Sequence, residues 1–458
     1  MKIKVIDGRD VANPEDVAML QALYSRSALS VDDQLAKVDK TGSARFMDNY
    51  VVGYGHKSIA DCGTTTVFIE GVSTLAAKAI QDWPLYSGQE TSTRYIDMSR
   101  QPIVDPAGSA ASVAILNRWM EFYVGAQGKV TSAIRERHPR LEGQEENVYE
   151  RAVKARTFDI LRAFLPAGIT TQLSWHTNLR QASDHLVLLM DHPSMEVRQV
   201  ADWVRRALEV KYPASGFGES QASVAGIGKD SSGQDARRAW EKMVAEHATY
   251  PAAFDEVYKE VVSGRPVFQY VYNRDRARPF EEVMKSRPRG AILPHFMSDF
   301  CYVSYNFLLD FGSFRDIQRH RNGVCRMPML TSSHGFEPWY LEELGRLDES
   351  LLGRAKALIA EQKLATEALH IDYVSEQYYV PLGARVPVRV TYGLPAAVYV
   401  MELRSGKMVH PTLRRAMHKM AKEFQVALGD KVALHVDLDS SDWDVRRGTQ
   451  TITVKAAP

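Results

Sequence analysis

Apolar residues recur at intervals of three and four in residues 195–210, 351–369 and 413–428, with lysines and arginines filling the positions between them. Each stretch predicts a helix with one buried face. Residues 64–69 (Thr-Thr-Thr-Val-Phe-Ile) and 386–392 (Val-Pro-Val-Arg-Val-Thr-Tyr) are rich in β-branched and aromatic side chains and predict strands, although Pro387 disturbs the second. The mixture predicts an α+β protein with more helix than strand. Periodicity fails between Tyr212 and Gln234, where Gly, Ser, Pro and Ala cluster in runs such as Ala214-Ser215-Gly216-Phe217-Gly218. A linker over residues 213–234 would divide the chain into domains 1–212 and 235–458, a reasonable partition for 458 residues.

The two parts echo one another. His56 and Cys62 stand in the same spacing as His295 and Cys301, and an apolar, helix-like segment follows each pair. Further on, Phe164-Leu165-Pro166 finds its counterpart in Tyr379-Val380-Pro381. Matched order of several landmarks favours duplication and fusion over coincidence.

Lys and Arg total 57 against 56 Asp and Glu, a formal net charge of +1. That balance gives no sign of a nucleic-acid or membrane surface and points instead to a small anion held by a few placed arginines. No apolar run reaches the ~20 residues of a membrane helix, and the start of the chain is polar too soon for a signal peptide, so a cytoplasmic protein is expected. Cys62, Cys301 and Cys325 lack C-x-x-C spacing and read as reduced thiols. No metal-ligand spacing, G-x-G-x-x-G, P-loop or G-x-S-x-G occurs. A chain without an evident nucleophile is compatible with a cofactor that carries the chemistry.

The most specific text is a motif in two pieces. One is Ser87-Gly88-Gln89-Glu90-Thr91-Ser92-Thr93-Arg94-Tyr95; the other is Arg319-His320-Arg321, after Phe314-Arg315-Asp316-Ile317-Gln318. Together they resemble the signature of the flavin-dependent thymidylate synthases (ThyX), which carry Arg-His-Arg, two spacers and Ser-x-x-Glu-x-Ser-x-Arg-Tyr as one stretch. The first copy has Asp82-Trp83-Pro84 where the triplet belongs, and the second has residues 324–331 where the tail belongs, so the losses are reciprocal. Complementary loss implies that each half supplies one part of a shared site.

The resemblance implies two tandem ThyX-like repeats, each a β-sheet flanked by helices. It implies reductive methylation of C5 of dUMP, with FAD as redox carrier and NADPH and methylenetetrahydrofolate as co-substrates. By position, Glu90, Ser92, Arg94, Arg162 and Arg404 would hold the nucleotide. His56, Ser58, Asn178, Arg180, Arg319, His320 and Arg321 would hold FAD, with Arg319 and Ser92 at the reacting centre. A lone arginine is more often a solvated helix-face charge, and what raises this set above that reading is its placement against matched landmarks. Family sites form between subunits of a tetramer, so a fused pair is expected to form a homodimer mimicking it. Asp316 and Asp61 depart from the family's Gln and Glu. The first departure leaves open a flavoenzyme acting on another pyrimidine nucleotide such as UMP, and decay of the motif leaves open a nucleotide-binding pseudoenzyme.

Overall fold

The computed structural model describes residues 1–6, 13–24, 61–94, 96–217 and 266–438, together with Lys40 and Ala239. His56, Ser58, Tyr95 and most of the expected linker lie outside the described residues. In chain order the elements are β1 (Lys2–Ile6), α1 (Pro14–Tyr24), β2 (Thr64–Ser73), α2 (Thr74–Gln81), α3 (Ala110–Arg137), α4 (Glu146–Leu161), β3 (Thr170–Asn178), α5 (Leu179–Met190) and α6 (Met195–Lys211). There follow β4 (Val267–Tyr272), β5 (Cys301–Asp310), α7 (Phe311–Ile317), β6 (Val324–Arg326), α8 (Pro338–Leu347), α9 (Glu349–Glu367), β7 (Arg385–Gly393), α10 (Leu394–Arg404) and α11 (Pro411–Leu428). The protein is of mixed α+β class, with small sheets flanked by helices.

Two compact units emerge, Met1–Thr91 with Ile169–Ala252, and Ser92–Gly168 with Ala253–Pro458. The spatial division therefore does not follow the expected sequence boundary: the middle of the first half, carrying α3 and α4, packs with the second half. Side-chain bonds account for that placement. Gln362 Nε2 on α9 donates to Ile115 O on α3 at 3.1 Å, and Arg156 on α4 pairs with Glu343 on α8 at 2.6 Å.

In the first unit β1, β2 and β3 form an antiparallel sheet in that order. Val67, Ile69 and Val72 of β2 and Leu173 and Trp175 of β3 enter a core closed by Val197, Val200, Val204 and Leu208 of α6. These α6 positions keep the helical spacing of the expected 195–210 segment, and each Val or Leu so buried contributes about 1.5–3 kcal/mol. Ser73 ends β2 and caps α2, its Oγ accepting from Ala76 N at 3.0 Å. Alongside β3 runs the tail of the motif: Ser174 N donates to Gln89 O at 2.8 Å and His176 N to Ser87 O at 2.7 Å. Gly88 is required there, because a Cβ would stand 1.8 Å from Ser174 O.

The second unit holds an antiparallel sheet ordered β4-β5-β7-β6. Pro387 does lie in β7, opposite Leu308. It is tolerated because β6 reaches only Arg389 to Thr391, leaving β5 as the strand paired with β7 at the proline. The predicted helices appear as α9 and α11, the latter burying Leu413, Met417, Met420, Phe424 and Leu428.

Inside this unit the two echoing proline steps meet. Pro166 and Pro381 face each other as an antiparallel bridge. Ala167 N donates to Val380 O and Leu382 N to Leu165 O, both at 2.8 Å; Gly168 N donates to Tyr378 O at 2.8 Å and Gly383 N to Ala163 O at 2.9 Å. The bonds come in reciprocal pairs, as a local two-fold axis requires.

Candidate functional site

The arginine cluster of the second unit is built from both halves of the sequence. Arg94 follows the motif tail and is 9% exposed. Its Nε donates to Asp159 Oδ1 at 2.7 Å, its Nη2 to Asp159 Oδ2 at 3.2 Å and its Nη1 to Met408 O at 3.2 Å. Ser92 Oγ accepts from the Arg94 backbone N at 3.2 Å, bracing the turn. Burial raises the pKa of Asp159, and the charges of Arg94 and Arg162 oppose that rise.

Arg162, just beyond α4, is almost wholly buried. Its Nη2 donates to Ser313 Oγ at 2.8 Å and approaches Asp310 Oδ2 at 3.5 Å, while its Nε donates to Tyr340 OH at 3.3 Å. Asp310 Oδ2 also accepts from Tyr340 OH and from Ser313 N, each at 2.9 Å, and so caps α7. Ser313 continues the network to Thr412, whose hydroxyl lies 2.8 Å from His410 Nδ1. The guanidinium expected to bind nucleotide is thus committed to structural partners.

The Arg-His-Arg triplet leaves the C-terminal end of α7, with His320 N bonded to Ile317 O at 3.0 Å. Arg404, at the end of α10, donates through Nε to His320 Nε2 at 2.6 Å and through Nη2 to Asp316 O at 2.8 Å. Accepting at Nε2 fixes the proton of the neutral ring on Nδ1. Burial first, then the Arg404 charge, lowers the His320 pKa to about 3. At neutral pH the triplet therefore offers two cations and a neutral imidazole. Gly323 lets the chain after the triplet lie on β7, since a Cβ would come within 2.3 Å of the Tyr392 ring and 2.6 Å of Thr391 O.

Asp316 sits among these charges. Burial would raise its pKa, but Arg162, Arg94, Arg404 and Arg315 together hold it below the ordinary value. The same positive charges act on one another, since Arg404 is lowered by burial and then by Arg319 and Arg94. The arginines are hydrogen-bond donors of the kind suited to phosphate, and the carboxylates of Asp159, Asp310 and Asp316 balance part of their charge.

The remaining expected residues fall in the first unit. Glu90 accepts from Gln81 Nε2 at 2.7 Å. Asn178 caps α5, its Oδ1 accepting from Gln181 N at 2.8 Å. Arg180 pairs with Asp61 at 2.7 Å and Asp184 at 3.1 Å. In the segment Asp82-Trp83-Pro84, Trp83 stacks on His185 at 4.7 Å and donates to Gln181 Oε1 at 2.9 Å. That place is filled by packing.

Sequence reading missed Asp159, Asp310, Ser313, Tyr340 and His410. The only available signal was Asp310 directly before an apolar run, an N-cap pattern. A further group, Glu337 before α8, has its carboxyl pushed from 4.5 up to about 7 by burial and by Asp310. The folded protein holds this proton more tightly, so its contribution is full below pH ~4.5 and is lost as pH rises through ~7. Glu337→Gln is expected to flatten the fall in stability between about pH 5 and pH 8, on the order of 1 kcal/mol or more, in paired urea melts. An unchanged pH dependence in the variant would exclude Glu337 as its source.

Residues 9–214 match the family described as thymidylate synthase complementing protein, Thy1. Across almost the whole length the chain is similar to the UPF0159 protein Ta1429 of Thermoplasma acidophilum, 24% identical over 491 residues, covering 93% of this chain and 96% of the relative. It is similar also to a UPF0159 protein of Chlamydia pneumoniae, 22% identical over 442 residues, covering 84% of this chain and 79% of the relative. Among solved structures it matches a UMP/dUMP methylase, PolB of Streptomyces cacaoi bound with 5-Br UMP, at 14% identity and a TM-score of 0.30, covering 50% of this chain and 95% of that one. Among the described residues no helix is long and apolar enough to cross a membrane, and no group of His, Cys, Asp and Glu is arranged to hold a metal.

Proposed function

We propose that the protein is a flavin-dependent enzyme that methylates C5 of a pyrimidine nucleotide, with dUMP as substrate, methylenetetrahydrofolate as one-carbon donor and NADPH as reductant. The observation that carries this reading is the meeting of motif pieces: Arg94 from the first copy and Arg319-His320-Arg321 and Arg404 from the second belong to one compact unit. The match of residues 9–214 to the Thy1 family supports the chemistry. The reciprocal bonds about Pro166 and Pro381 support descent from two repeats, 1–212 and 235–458. Two such repeats per chain would let a homodimer supply what a tetramer of single repeats supplies.

In this reading Arg94 and Arg404 bind the nucleotide phosphate, and Ser92 and Glu90 bind the nucleotide as acceptors. Arg162 acts through Asp310 and Ser313, fixing the start of α7 and with it the triplet. Arg319 and Arg321 supply positive charge toward the flavin, and His320 orients Arg404. The arginine-rich donor set fits the pyrophosphate and the anionic reduced ring of FAD. His56, Ser58, Asn178 and Arg180 are proposed for the same cofactor, with Asn178 and Arg180 held by their cap and ion-pair partners. When bound, the flavin supplies the reducing equivalents for methyl formation. Asp316 favours a second reading with UMP, because an ionised carboxylate is an acceptor suited to ribose hydroxyls.

Complementary loss of motif pieces predicts about one FAD per chain. The ratio of released flavin absorbance to protein, on FAD-saturated material, measures it. A ratio near two would rule out the shared site, and a protein that retains none would favour the pseudoenzyme.

A further inference from the structure

The second unit also contains a cavity of about 330 Å³ that shares no lining residue with the arginine cluster. Its walls are Trp119 of α3, Phe336, Ile359 of α9 and the Val380-Pro381 step. They are held in place by backbone and buried bonds. Trp119 Nε1 donates to Tyr379 O at 3.0 Å, the proline step is locked by the reciprocal pairs about Pro166, and Gln362 ties α9 to α3. Such a wall forms before any ligand arrives, and its volume lies within the ~300–1,000 Å³ range of small-molecule sites.

The charged groups lining this cavity are both positive. Lys356 and Lys363 both line it from α9, two helical turns or about 10.5 Å apart along the axis. Both are exposed. Lys363 has only a loose pairing, with Glu367 at 3.9 Å, and Lys356 has no acidic partner among the described residues. Ser332 and Ser333 add hydroxyls on the opposite loop, the latter 2.6 Å from Thr331 Oγ1. Neither an acidic side chain nor an arginine lines the space.

We propose that this cavity is a second binding site, for an aromatic organic anion whose ring lies against Trp119, Phe336 and Pro381 and whose carboxylate, sulfonate or phosphate is met by Lys356 and Lys363. The aromatic and proline surfaces select a flat apolar body, and the lysines select the charge. The site is independent of the nucleotide reading and stands or falls without it.

Anilinonaphthalene sulfonate, a fluorescent aromatic anion, tests the site on the full-length protein, with uncharged N-phenylnaphthylamine as companion probe. One saturable sulfonate site per chain is expected. Ala360→Trp, placed at the exposed rim, should abolish binding of both probes. The double change Lys356→Glu with Lys363→Glu should weaken the sulfonate at least tenfold and leave the uncharged probe within about twofold, since only the charge is altered. Absence of a saturable site, or binding that survives Ala360→Trp in protein with an unchanged melting profile, overturns the proposal. Equal loss of both probes in the double variant overturns the assigned anion preference.

Discussion

Arg162→Met is expected to destabilise the protein by about 3–5 kcal/mol, the usual consequence of removing one partner from a buried ion pair. Asp310 would be left buried beside Tyr340 and Ser313 with its counter-charge gone, and its Oδ1 has no hydrogen-bond partner among the described residues. Urea melts of wild type and variant measure the loss. Adding Asp310→Asn to Arg162→Met should recover part of it, because both changes act on one network. For comparison, Arg135→Ala removes an exposed pair with Glu150 and should leave stability nearly unchanged. A loss at Arg162 no larger than at Arg135 would mean that the network does not hold the start of α7.

Arg404→Ala is expected to weaken nucleotide binding by about 1.5–3 kcal/mol, roughly 10–150-fold, the contribution of a charge-assisted hydrogen bond. Calorimetry on FAD-loaded protein measures it. The same change removes a positive neighbour from His320, so the imidazole pKa should rise from about 3, which NMR titration follows. Arg94 is a less clean probe. Arg94→Ala strands Asp159, so it must be paired with Asp159→Asn to separate binding from folding. If Arg404→Ala leaves nucleotide affinity unchanged while the His320 pKa moves, Arg404 orients the imidazole and does not touch the ligand.

The parts of this protein legible in its sequence are those fixed by local periodicity or by close spacing. The segment 195–210 reads as a helix because Val197, Val200, Val204 and Leu208 repeat at helical intervals, and those residues are buried. Arg94 and Arg404 fall in one compact unit of the structure. Long-range pairing was not readable. Nothing local predicts that α3 and α4 pack with the second half, because the deciding bonds, such as Gln362 to Ile115 O, join residues distant in sequence. The fate of Arg162 was hidden for the same reason: its partners Asp310, Ser313 and Tyr340 all lie far along the chain. Asn178 shows a related difficulty, since a cap and a ligand contact require the same polar side chain at a helix start. The neutrality of His320 depends on burial and on Arg404, neither visible in an Arg-His-Arg triplet.

The most direct measurement is mass spectrometry of the nucleotide after FAD-loaded protein is incubated with NADPH, methylenetetrahydrofolate and dUMP, with UMP in a parallel reaction. The expected product is dTMP, formed by wild type and lost or strongly reduced in Arg321→Ala. Trp83→Phe should retain turnover, because Trp83 is engaged in packing on His185 and a bond to Gln181. Methylated product from UMP alone would move the assignment to the ribonucleotide, and a protein that holds FAD and oxidises NADPH yet methylates neither nucleotide would contradict the central claim.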